Sequence, residues 1–343
     1  MQSELLKKNS FDFLRLLATI YIVFHHSFEL LLSKPQFNSI GLKDFRVNLE
    51  VFALAIFFSI SGYLIAKSAS TSKNIIHFLW KRFLRIQPLL FIVCIASILI
   101  GAMVSIFSFE NYFQNFQTWK YLRNVFPLFG IEYSLPGVFK GNIGDAGVNG
   151  SLWTIVMEER LYLIISVLFF TRIKNFFNLI LFTVILLNTL FFISYFSFKG
   201  SISTYFSSYP FQFALMFINA AAFFYFKIPF FKTSKIFISI LLLLVIIFPS
   251  LLVVKVIILP FVIIWIGCQK SIFSNVFYFG DISYCTYISS FPIQQMIIYN
   301  FKNAISPEKL FLLTMLFCLP LSLLSYNFIE KKFLNLKNAF WDS

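Results

Sequence analysis

The stretch "LRLLATIYIVFHHS", residues 14–27, has the apolar content of a membrane-embedded helix, yet it carries Arg15, His25 and His26. A charge at mid-span costs about 2.5–3.5 kcal/mol on insertion scales, so such groups usually face a bundle interior or a wet cavity. At about 100° per residue, Arg15 and His26 leave one face of the helix and His25 points about 80° away. A rise of about 1.5 Å per residue separates Arg15 from His26 by about 16 Å along the axis, which places Arg15 near the cytoplasmic interface and His26 in the outer half. One face of this helix therefore lines something polar. A plainer reading stands beside it, in which Arg15 snorkels to the headgroups and the histidines hydrogen-bond to neighbouring helices.

The remainder of the chain supports a bilayer setting. Of 343 residues, 59% are hydrophobic and 12% charged, which is more apolar surface than a soluble fold can hide. Backbone in lipid must satisfy its own polar groups, so the expected fold is all-α, a polytopic bundle. Apolar stretches of spanning length fall near 10–30, 47–67, 87–107, 151–171, 178–197, 207–226, 236–249, 251–268, 275–298 and 310–329. That makes about ten helices, with one ambiguity: Pro249 and Ser250 either turn a hairpin or kink a single helix. The run at 10–30 has no small-residue cleavage site after it and is expected to stay.

The net charge of +14 comes from Lys and Arg clustered between apolar runs, as in cytoplasmic loops, so nucleic acid is not an expected partner. With the N-terminus inside, about sixteen basic residues fall on the cytoplasmic side and about ten on the other, which predicts both termini in the cytoplasm. Cys94, Cys268, Cys285 and Cys318 show no close spacing and predict neither a metal site nor a disulfide framework.

Three further segments bear on chemistry. In "NGSLWTIVMEERLYLI", residues 149–164, Asn149 or Ser151 can cap a descending helix that carries Glu158 about 10 Å below its start. That depth matches His26, so a carboxylate and an imidazole could form a base with its orienting partner. Tyr162 shares the Glu158 face, while Glu159 and Arg160 point elsewhere and suit a packed ion pair. In "WKRFLRIQP", Arg82 and Arg85 stand one turn apart before Pro88, which suits either a phosphate-bearing cosubstrate or plain anchoring on the inner side. In "FFSISGYL", Ser61 precedes Gly62; no base is evident beside it, and small residues in a span usually mean close helix packing. The long connection 108–150 carries Tyr112, Trp119, Tyr121 and Tyr133 and ends in "GNIGDAGVNG", a length that predicts a functional or mobile loop.

Taken together, these segments resemble the acyltransferase 3 family of multipass bacterial membrane proteins. The resemblance runs along nearly the whole chain: Arg15, ten residues, then His26; Phe57 to Leu64; Arg82 and Arg85 before Pro88; Leu152, Trp153 and Thr154 followed by Glu158, Glu159 and Tyr162; "GDISYCTYISSFP" with Ser283 and Tyr284; and "SYNFIEKKF". One departure is that Ser290 stands where the family often has a histidine.

The resemblance implies a single transmembrane acyltransferase domain over 1–343, in the bacterial cytoplasmic (inner) membrane, without the esterase-like domain that many members add after the spans. It implies an acyl-CoA donor, acetyl-CoA by default, met from the cytoplasm by Arg82, Arg85 and Arg15, and a carbohydrate acceptor such as O-antigen, capsule or a lipid-linked sugar. His26 is then expected to act as general base or transient acyl carrier with Glu158 orienting it, supported by Ser61, Trp153, Tyr162, Ser283 and Tyr284. No metal and no tightly bound cofactor is expected. The rival reading is a transporter or flippase in which Arg15, His26 and Glu158 form an ion or proton pathway. No matching pair of Gly/Pro-broken helices favours it.

Overall fold

The computed structural model describes residues 10–31, 40–143, 147–170, 176–197, 208–228, 230, 233–248, 251, 253–269 and 280–339. All regular structure among them is helical. Among the described residues, ten helices of at least ten residues occupy the ten apolar stretches: α1 (Phe11–Glu29), α2 (Ile40–Ser70), α3 (Ile75–Val104), α4 (Trp153–Phe170), α5 (Phe176–Ser197), α6 (Tyr209–Tyr225), α7 (Lys235–Ile247), α8 (Leu259–Cys268), α9 (Ser283–Asn300) and α10 (Pro307–Ser325). Among the described residues, three segments are long and apolar enough to cross a membrane, Leu49–Ser70, Ile75–Val104 and Pro307–Asn338; Thr183–Ile193, Lys235–Ile247 and Val254–Cys268 are apolar but shorter. The chain is accordingly a membrane protein.

Helix starts differ from expectation at α2 and α3, and the ambiguity at 236–268 resolves into two helices. Helix α3 begins at Ile75 rather than near 87 because Pro88 lies inside the helix instead of opening it, so Arg82 and Arg85 ride on the helix itself. The stretch 236–268 is two helices: Phe248 leaves helical backbone at φ −122° and ψ 51°, and the chain re-enters through a π turn, Val254–Ile258, that runs into α8. Pro249 and Ser250, like both chain termini and the expected span start at 275, lie outside the described residues.

The chain divides into two compact units. One comprises residues 1–18, 51–78 and 160–278; the other comprises 19–50, 79–159 and 279–343. In the first, Phe191, Leu215 and Val256 form a buried cluster, and Asn219 donates to Asn188 Oδ1 (3.2 Å) and to the Val256 carbonyl (2.7 Å). Such side-chain amide bonds satisfy polar groups that lipid cannot. Gly62 lies directly on α6, and a Cβ there would overlap the Phe217 carbonyl oxygen, so the "SISGYL" motif acts as a close-packing site. Ser61 beside it is buried.

In the second unit, Leu30, Leu31, Phe291, Ile297, Ile298 and Leu310 form the apolar core. The connection 108–150 is folded: Ser108 and Asn115 cap short helices at Phe109–Gln114 and Phe116–Lys120, Tyr112 donates to the Ile98 carbonyl (3.0 Å), and Lys120 pairs with Glu132 (2.7 Å). Burial pushes the Tyr112 and Tyr121 phenols above their usual range, and Phe116, Trp119 and Phe129 stand exposed. Residues 144–146 of the Gly-rich end lie outside the described residues.

Candidate active site

The second unit is organised around α9. Pro292, inside this helix, has no N–H to offer the Ile288 carbonyl one turn back. The Asn149 side chain supplies the missing donor (2.9 Å) while its oxygen accepts from Ser151 N (3.1 Å) and caps the turn that leads into α4. One amide thus ties the start of α4 to the proline break in α9. Elsewhere on α9 Tyr287 meets Thr154 (2.8 Å), Tyr284 donates to the Ile86 carbonyl on α3 (2.9 Å), and Gln294 donates to Val23 O and Ser27 Oγ on α1, both at 2.8 Å. Ser290, where a histidine was the family expectation, is buried and donates to the Tyr287 carbonyl (3.1 Å).

His26 lies edge-on to Phe291, ring centroids 5.3 Å apart, and a Cβ on Gly150 would strike that same phenyl ring. The imidazole is 8% exposed and its Nδ1 is enclosed with no hydrogen-bond partner among the described residues. Its neighbour His25, ring centroid 6.2 Å away, points elsewhere, as helical geometry requires, and its Nε2 meets Glu50 Oε2 of α2 at 3.0 Å. Glu29, one turn along α1, is 4.0 Å from the same nitrogen. Glu50 is also within electrostatic reach of His26.

Glu158 lies within electrostatic reach of Tyr284 and Tyr287, and His26 packs against Phe291, four residues along α9 from Tyr287. Helix α4, which carries Glu158, is entered through a 3-10 turn at Gly150–Leu152. Tyr287 is within electrostatic reach of both Glu158 and Glu50. Glu159 accepts from Gln87 (2.7 Å).

A second polar cluster surrounds Arg85. Its guanidinium pairs with Asp281 and with Glu330 (3.4 Å) and lies 5.8 Å from the Tyr284 ring centroid. Asp281 also accepts from Ser283, through its backbone N–H (3.1 Å) and its hydroxyl, which places a carboxylate at the positive end of α9. Gly280, at φ +81°, packs its bare Cα on the Tyr326 ring. Arg82 and Trp153, in this unit, are half-buried, while Arg15, Ser61 and Tyr162 belong to the first unit, Tyr162 with its ring 6.4 Å from that of Phe217. Glu50, Asp281 and Glu330 are the residues that sequence reasoning passed over. Each is a lone acid at the edge of an apolar run, and that was the available signal.

A family profile described as an acyltransferase domain matches residues 8–326. The chain belongs to this acyltransferase family. Among curated relatives, an O-acetyl transferase of Shigella phage Sf6 is 35% identical over 162 residues, covering 47% of this chain and 46% of that protein. Nodulation protein 10 of Rhizobium leguminosarum bv. viciae is 29% identical over 165 residues, covering 47% and 44%. The acyltransferase-family chain thus spans less than half the length of these curated relatives. No solved structure matches it.

Proposed function

We propose that this membrane protein is an O-acyltransferase of the bacterial cytoplasmic membrane, with several spans and both termini inside. It moves an acyl group, acetyl by default, from cytoplasmic acyl-CoA to a hydroxyl of a cell-surface or lipid-linked carbohydrate. The observation that carries the reading is the His26 imidazole, buried on a helix of an acyltransferase-family chain with Nδ1 unpartnered among the described residues. A buried polar atom left unbonded is costly, and such exceptions concentrate where a group is kept for chemistry.

In the proposed reaction His26 takes the proton of the acceptor hydroxyl, and the oxygen attacks the thioester carbonyl carbon. The carbon–sulfur bond breaks, and the departing thiolate receives the proton from the imidazolium, so ester and free CoA are the products. Tyr287 and Glu158 flank the path beside His26. Arg82 meets the donor's phosphates. Arg85, already engaged by Asp281 and Glu330, shapes the donor's side of the site and holds Tyr284 and Ser283 in place.

Proteoliposomes given acyl-CoA and an extract of lipid-linked glycans test this. Free CoA should appear only when acceptor is present; accumulation of acyl-CoA or glycan across the membrane with no CoA release would favour a carrier instead.

A further inference from the structure

The pairing of His25 with Glu50 belongs to no role assigned so far. The two lie on different helices, α1 and α2, and His25 sits one position from the expected base. Glu50 Oε2 is 3.0 Å from His25 Nε2, while His25 Nδ1, like His26 Nδ1, is enclosed without a partner among the described residues. A carboxylate fixed to one imidazole nitrogen dictates its tautomer: the proton sits on Nε2, which donates to Glu50. The same carboxylate is close enough to favour a positive charge on His26. The other ionisable groups facing this cluster are Glu29 on α1, Tyr287 on α9 and, beyond it, Glu158 on α4.

We infer that Glu50 is a positioning residue for acyl transfer: it locks His25 by accepting its Nε2–H and compensates the charge that His26 gains when it removes the acceptor's proton. The inference rests on the functional reading above. It assigns to Glu50 the orienting work that depth matching gave to Glu158. A carboxylate in this role stabilises the imidazolium without itself being protonated.

Glu50→Gln keeps the size of the side chain and an acceptor oxygen but removes the charge. The expected result is a fall in kcat of at least about tenfold, with KM for acyl-CoA within about twofold, because the donor's phosphates are held elsewhere. Glu50→Asp should recover part of the loss. Combined with His25→Ala, Glu50→Gln should cost little more than the worse single change, since both remove one unit. With only three histidines in the chain, 15N solid-state NMR of histidine-labelled protein in lipid can read His25 directly, using His77→Gln to simplify assignment. A protonated Nε2 in the wild type that changes in Glu50→Gln is expected.

Unchanged kcat in Glu50→Gln, losses that multiply in the double variant, or a His25 signal indifferent to Glu50 would each overturn the inference. Wild-type protein that shows the NMR signature but consumes no acyl-CoA with any acceptor would instead overturn the functional reading, and the two failures are thereby separable.

Discussion

At the residue scale, helix contacts in this chain turn on single atoms. Gly62 is the sharpest case. Its hydrogen occupies the space where any Cβ would overlap the Phe217 carbonyl oxygen, and backbone, unlike a side-chain tip, has no rotamer through which to escape. Gly62→Ala should therefore push α2 off α6 and cost about 1–3 kcal/mol, seen as a lowered unfolding midpoint in detergent. Asn149 is the opposite kind of residue, a side chain that completes another helix's backbone. Asn149→Leu leaves the Ile288 carbonyl freed by Pro292 without its donor, and should cost about 1–3 kcal/mol. The glycine was legible in sequence as a packing signal. The asparagine was legible only as a cap, because its second bond depends on which helix lies beside it, and no local pattern carries that information.

At the element scale, Arg82 and Arg85 part company. They share a helix face by spacing, and sequence gave no reason to separate them. Three-dimensional structure does: Arg85 reaches two acids from segments 196 and 245 residues away in the chain, one of them the 3% exposed Glu330. Breaking a buried pair by removing one partner leaves an uncompensated charge, so Arg85→Ala should lower stability by about 3 kcal/mol or more. Arg82→Ala should instead raise KM for acyl-CoA with a much smaller change in midpoint. Steady-state kinetics alongside detergent unfolding of the two variants checks both. Equal behaviour of the two in both assays would remove the distinction. Glu50 was missed for the same reason as Asp281 and Glu330: a lone acid at the end of an apolar run reads as loop edge until its partner helix is known.

At the scale of the whole molecule, the hydropathy pattern carried the all-helical class and the long apolar segments, because such segments announce themselves by length and apolarity alone. The division into two units was not legible, since residues 1–18 join 51–78 and 160–278 through contacts distant in sequence. Orientation remains a matter of charge bias, and the chain offers a clean way to read it. All four native cysteines are buried, so introduced thiols report alone. Lys73→Cys, in the exposed turn between α2 and α3, should react with an impermeant maleimide only from the cytoplasmic side, and Lys140→Cys, on the folded connection after α3, only from the outside.

The central claim is that the His26 imidazole carries proton transfer in an O-acyltransferase. The most direct measurement is mass spectrometry of surface glycans from cells that express either the wild type or His26→Ala at equal membrane levels. The account predicts acylated glycan with the wild type and a loss of about 100-fold or more with the variant. Acylation undiminished in His26→Ala would contradict it.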